Sequence, residues 1–233
     1  MHFKEAPFLE IPTQKIDIKK RTAADGAIYL KSWMPLESHP YRMTERLVFW
    51  DEHKPETVFL GQRNDEGEWQ TITYAQTLNN VRNLAQWLLN QKVSVEKPVA
   101  IIAENSIEHA LMALAALHIG IPYSSISPAY ITKSKDYRRL NFMLETLTPG
   151  VIMVSDGTQS QDALQRISHQ AKVVYLNHQP QGGFDAVSFA NALKTMPTDA
   201  VESAYQAIQP DTIAKVLFTS GSTGLLQRRN QYA

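Results

Sequence analysis

The 233-residue sequence contains no cysteine. Disulfides, thiolate nucleophiles and cysteine-ligated zinc are therefore excluded for these residues, and the composition suits a reducing compartment. Neither sign of charge is in excess: 23 Lys and Arg stand against 23 Asp and Glu. Contact with a nucleic acid or an anionic membrane calls for a basic surface, so no nucleic acid and no membrane is expected as a partner. Long apolar runs are missing as well. The longest, residues 110–122 with His118 inside it, falls short of the roughly 20 residues a spanning helix needs. The first fourteen residues mix charged and apolar types and lack the basic-then-apolar order of a secretory signal. A cytoplasmic location is the expectation. Neither an internal repeat nor a low-complexity segment stands out.

What is present is a globular pattern. Apolar residues make up 43% of the chain, enough for one large core or two small ones. Residues 1–50 carry Pro7, Pro12, Pro35 and Pro40 and no sustained periodicity, so they read as an irregular arm with a short helix near 43–52. Residues 57–60 and 68–72 flank Asn64-Asp65-Glu66-Gly67, a hairpin signal. Thr73 and Gln76 form a capping box for a helix, whose stripe is Leu78, Val81, Leu84, Ala85 and Leu88.

From residue 98 onward, short apolar runs alternate with helical ones. Strands are predicted at 98–103, 121–126, 151–154, 172–176 and 213–218. Helices are predicted from the Ser106 cap to Gly120, and at 136–146, 161–169, 187–194 and 200–208. Strand–helix alternation predicts βαβ crossovers and an α/β fold, doubly wound, with a mainly parallel sheet covered by helices on both faces. Ligands of such sheets bind beyond the carboxyl ends of the strands.

At that end of the last predicted strand stands Thr219-Ser220-Gly221-Ser222-Thr223-Gly224. Glycines tolerate positive φ and leave no Cβ in the way of a ligand. The N–H groups of such a turn converge on an anion, and Thr219, Ser220, Ser222 and Thr223 add hydroxyl donors. The run matches neither the Walker A pattern nor the dinucleotide fingerprint. From composition alone a plain polar turn is an equal reading; the position after a buried strand favours phosphate.

This run resembles the phosphate loop of the adenylate-forming, AMP-binding superfamily, which includes acyl-CoA synthetases, luciferases and peptide-synthetase adenylation domains. Ile72-Thr73-Tyr74-Ala75-Gln76-Thr77-Leu78 and Leu117-His118-Ile119-Gly120-Ile121-Pro122-Tyr123 resemble two earlier segments of that family, in the family's order. Arg21, Gly26, Leu30-Lys31-Ser32, Pro35-Leu36, Pro40, Leu47, Trp50 and Phe59-Leu60-Gly61-Gln62-Arg63 resemble the leader of feruloyl-CoA synthetase. The likeness runs almost to Leu225, so that residues 51–225 correspond to the first α/β subdomain of the family's large domain.

The resemblance implies a two-step acid–thiol ligase. A carboxylate, aromatic if the leader is a guide, attacks ATP with Mg²⁺ assisting, which gives an acyl-adenylate and pyrophosphate; CoA then displaces AMP. By the same resemblance Thr219, Ser220, Gly221, Ser222, Thr223 and Gly224 hold the β- and γ-phosphates. The family's acyl pocket, adenine and ribose contacts, hinge and catalytic lysine would all follow this point, so no catalytic residue and no metal ligand is carried over. The 233 residues are expected to be an inactive N-terminal part, with an apolar face left by the missing subdomains. Two alternatives stay open: part of an aliphatic acyl-CoA synthetase, or a remnant that binds a nucleotide or a partner without catalysis.

Other polar residues have plainer readings. His109 and His118 lack the acidic cluster of a ligand set. His53, His169 and His178 read as surface, Trp50, Trp69 and Trp87 as core or interface. Glu104-Asn105 reads as the turn before the Ser106 cap, Asp156-Gly157 as another turn, and Lys133, Lys135, Arg138 and Arg139 as a solvated face.

The family continues after the loop with one variable residue and then Pro-Lys-Gly-Val. Here Leu225 is followed by Leu226-Gln227-Arg228-Arg229-Asn230-Gln231-Tyr232-Ala233, with Gln227 where the lysine belongs, so 226–233 reads as a non-family tail. Synonymous codons exist for which removal of one base at Leu226 restores Leu-Pro-Lys-Gly-Val-Ile-Asn-Thr. A one-base insertion is therefore expected, in the gene or in its reading. Nucleotide sequencing across Leu225 checks it: the expected result is a ligase frame resuming downstream, and a locus with none would rule out the frameshift.

Overall fold

The computed structural model describes residues 17–35, 38–134, 136–167, 170–219 and 227–232. Contacts divide the chain into residues 1–39 and 40–233. The described part of the first unit is a hairpin, β1 (Ile18–Thr22) paired antiparallel with β2 (Ile28–Ser32), where the sequence predicts an irregular arm. All ten positions are exposed, so no alternation of apolar and polar residues announces the strands. Gly26, at φ +83°, makes the turn, and Lys19 and Arg21 lie over the rings of Trp33 and Tyr29.

The second unit opens with α1 (Glu45–His53), followed by the predicted hairpin, β3 (Val58–Arg63) with β4 (Trp69–Thr73). The capping box forms as its spacing requires: Thr73 Oγ1 accepts the Gln76 N–H, and Gln76 Oε1 accepts the Thr73 N–H. It starts α2 (Tyr74–Asn90), whose Leu78, Val81, Leu84, Ala85 and Leu88 are buried. The Ser106 hydroxyl caps α3 (Ile107–His118), and Gly120, at φ +68°, follows its end.

The sheet consists of β5 (Val99–Ile102), β6 (Tyr123–Ser125), β7 (Val151–Asp156), β8 (Lys172–Asn177), β9 (Ala186–Ser188), β10 (Ile213–Thr219) and β11 (Gln227–Tyr232), in the order β11-β10-β6-β5-β7-β8-β9. Every pairing is parallel except β10 with β11. The α/β doubly wound fold read from the sequence is present.

The two faces build separate cores. Val99, Ile101, Val151 and Met153 join one cluster with α2, α3, Phe189 and Val201. Ala100, Ile102, Ile152 and Val154 join the other, with Leu140, Leu144 and Leu164. The second cluster is carried by α4 (Ala129–Thr132), α5 (Arg138–Leu147) and α6 (Gly157–Arg166). The first is completed by α7 (Phe189–Ala192) and α8 (Asp199–Gln206). β5 is thus followed by a helix on one face and β7 by a helix on the other, which places the topological switch point between their carboxyl ends.

Several elements depart from expectation. Asp156-Gly157 is no turn: the Asp156 carboxylate caps α6 through the Gln159 N–H, so that helix starts four residues early. Residues 187–194 divide into an edge strand and the single turn of α7, because the Ser188 hydroxyl caps at that point. Residues 227–232 pair with β10 as a strand; their polar sequence carries no strand signal.

Gly157 donates its N–H to the His178 carbonyl, and a Cβ there would run into that oxygen and the Pro180 ring. Neither is the far end of a flexible side chain. Gly157→Ala is expected to destabilise the chain by about 1–3 kcal/mol through overpacking, read as a lower urea midpoint.

Candidate functional site

β10 ends at Thr219, the first residue of the predicted loop, at the carboxyl edge of the sheet. Ala214 and Val216 are buried and Thr219, its last residue, is half-buried. Thr219 and Gln227 are register partners at that edge. Of the predicted phosphate residues, Thr219 is described; Ser220, Gly221, Ser222, Thr223 and Gly224 lie outside the described residues.

A second group of polar residues surrounds the switch point between β5 and β7. An open crevice there is lined by Gln62, Glu104, Ser106, Glu108, Ser155 and Asn177. Its walls are tied by hydrogen bonds from backbone N–H groups to side-chain oxygens. The Glu104 N–H donates to Ser155 Oγ at 3.0 Å, and the Ile107 N–H donates to Gln62 Oε1 at 2.7 Å. Next to it, Asp156 lies 2.7 Å from His178 Nδ1. Burial works against its charge, but the Gln159 N–H and the His178 imidazole outweigh burial and hold the carboxyl below the usual range. Glu104 keeps its expected place in the turn before the Ser106 cap. Residue type singles out none of Gln62, Ser155 and Asn177; position at the carboxyl ends of β7 and β8 is the signal that finds Ser155 and Asn177, and Gln62, on a hairpin outside the sheet, has none.

The two helix histidines diverge. His109 stands at the sheet edge, with Nε2 3.0 Å from Ser125 Oγ. His118 is 1% exposed, stacked on Tyr205, with Nδ1 3.0 Å from Thr44 Oγ1 and Nε2 without a hydrogen-bond partner. It is a core residue. Among the described residues no group of three or more His, Cys, Asp or Glu could hold a metal ion. The expected solvated face is seen at Arg138, exposed and paired with Asp136 at 2.6 Å; Lys135 lies outside the described residues. Trp87 is buried as expected, whereas Trp69 is 64% exposed beneath the Arg63 guanidinium. Among the described residues no helix is long and apolar enough to cross a membrane.

Burial, and then the charge of Arg82, push the His118 imidazole down to about 4, against a smaller pull from Glu202. In the unfolded chain the ring takes its proton near pH 6.5, so the unfolded state binds more protons between these values. Stability is therefore full above pH 6.5 and falls as the pH drops towards 4, by about 3 kcal/mol. Urea unfolding across that range checks this: His118→Leu is expected to remove the acid slope, whatever it does to absolute stability.

Three comparisons bear on the edge just described. The family model for the AMP-binding enzyme matches residues 49–226. Over 174 residues the chain is 28% identical to a dimodular nonribosomal peptide synthase of Bacillus subtilis (strain 168), covering 74% of this chain and 6% of that protein. Among solved structures, the Klebsiella oxytoca NpsA N-terminal subdomain in complex with 3-hydroxybenzoyl-AMSN superposes with a TM-score of 0.55 at 20% identity, over 82% of this chain and 41% of that one. A fatty acyl-adenylate ligase from L. pneumophila, in complex with acyl adenylate and pyrophosphate, gives 0.58 at 16% identity, over 82% and 30%. These likenesses show the fold, and the chain spans well under half of each protein.

Proposed function

Because the chain belongs to the AMP-binding enzyme family, we propose that it forms the phosphate-binding first part of an enzyme that activates a carboxylic acid as its acyl-adenylate. The observation that carries this is the family match running from α1 through the Thr219–Gly224 run, whose first residue, Thr219, ends β10 at the carboxyl edge of the sheet. In this reading Thr219, Ser220, Gly221, Ser222, Thr223 and Gly224 hold the β- and γ-phosphates of ATP through hydroxyls and backbone N–H groups. Half-buried Thr219, at the end of a strand whose Ala214 and Val216 are buried, fits such a floor. The described residues supply no metal cluster, so Mg²⁺ is assigned to none of them. CoA is the proposed acceptor, and a cytoplasmic location goes with it.

The acid is proposed to be aromatic. The feruloyl-type leader between Arg21 and Arg63 supports this, as does an N-terminal subdomain of the same fold holding a 3-hydroxybenzoyl analogue. The peptide synthase relative favours a second reading, in which the acid is an amino acid; a fatty acid, as in the L. pneumophila ligase, is a third. Residues 226–233 are proposed to lie outside the family's pattern, in line with a family match that ends at residue 226.

Two measurements test the reading. ATP titrated calorimetrically into the 233 residues is expected to give a binding heat that Gly221→Val removes, since a branched side chain fills the phosphate cradle. Pyrophosphate exchange with ATP and aryl acids is expected to stay at background, because these residues span 41% or less of the two solved chains. Equal heats from both proteins would refute the loop assignment, and measurable exchange would refute the division of the site.

A further inference from the structure

His109 and Ser125 meet at the carboxyl edge in a geometry that phosphate binding does not use. β5 and β6 are parallel neighbours, with Ile101 level with Ser125. Ser125 is the last residue of β6 and is exposed; His109 is half-buried in the first turn of α3. The Ser106 hydroxyl accepts the His109 N–H at 3.1 Å and so holds the main chain beneath the ring.

The ring is held at both nitrogens. Nδ1 lies 3.2 Å from the Ala103 carbonyl oxygen and 3.3 Å from that of Glu104. Carbonyl oxygens only accept, so Nδ1 carries the hydrogen. In the neutral imidazole Nε2 is then a bare lone pair, and 3.0 Å away stands the Ser125 hydroxyl, which donates to it. A hydroxyl bonded to a base that a third group orients is the arrangement of an activated nucleophile. Here the orienting group is the backbone at the end of β5.

We propose that Ser125 and His109 are a nucleophile and its general base, acting on activated acyl groups such as esters and mixed anhydrides. Ser125 Oγ attacks the acyl carbon, forming the C–O bond while its proton passes to His109 Nε2. The tetrahedral adduct expels the leaving group with the bonding electrons, and Nε2 returns the proton to it or to solvent. Ser125 is left acylated. A water then attacks the ester, giving its proton to Nε2, and Ser125 recovers a proton as the acid departs. One water is consumed for each ester or anhydride cleaved. None of residues 219–227 takes part, so this stands apart from the ATP reading.

The probe is 4-nitrophenyl acetate, applied to the full 233-residue chain and followed by intact mass and peptide mapping. The expected result is one acetyl group on Ser125, gained ahead of the neighbouring Ser127 and the lysines. His109→Ala and His109→Gln are each expected to slow that acetylation by about 100-fold, the lower end of what a positioned base contributes. Ser125→Ala should remove the site. Both side chains reach the surface, and unchanged far-ultraviolet circular dichroism confirms folding of the variants. Acetylation of Ser125 at the same rate with and without His109, or labelling spread over lysines with neither an acetyl on Ser125 nor release of 4-nitrophenolate that Ser125→Ala removes, would overturn the proposal.

Discussion

Val99, Ala100, Ile101 and Ile102 point alternately into two separate cores, and each is at most 1% exposed. The same holds for Val151 to Val154 in the neighbouring strand. A strand covered on both faces has no place for a polar side chain unless a partner is buried with it. Burial of each large side chain contributes about 1.5–3 kcal/mol, so these two strands alone anchor both helical layers. Every group that can do chemistry is consequently displaced to the strand ends.

The carboxyl ends collect what the strand interiors exclude. Thr219, Ser125, Glu104, Ser155, Asp156 and Asn177 all lie at or just beyond the end of a parallel strand. They do not form one constellation. Thr219 ends β10 and is the register partner of Gln227. Glu104, Ser155 and Asn177 belong to the crevice where the winding reverses. Ser125 is drawn to His109 by the helix that follows β5. The first group lies inside the AMP-binding family match, which ends at residue 226; the other two owe their placement to the fold.

Legibility from sequence followed burial. The central strands were evident because continuous apolar runs of four to six residues can go nowhere but inside, and α2 because its stripe and its cap agree. The β1–β2 hairpin, exposed at every position, gave no pattern to read. β11 is polar throughout and is a strand because β10 offers it an edge. α6 was misplaced because Asp156-Gly157 suits a turn and a cap equally well; the cap prevails where the Gln159 N–H comes within 2.8 Å of the carboxylate. Trp69, read as core or interface, is not in the core: its ring is 64% exposed on the β3–β4 hairpin.

The sequence by itself determined the α/β class, the alternation that builds two cores, and the family, since each depends on residue types in local order. The Thr219–Gly224 run is of that kind too: the phosphate contacts proposed for it rest on consecutive residues. Only the tertiary structure decided the opposite fates of His109 and His118, nine residues apart on one helix. One turns inward to Thr44 and Tyr205 and is held neutral by burial. The other reaches the sheet edge, where two carbonyls fix its tautomer and a serine from the next strand meets its free nitrogen. Helical spacing places a residue on a face; what waits opposite that face is settled by the strands and helices packed across from it.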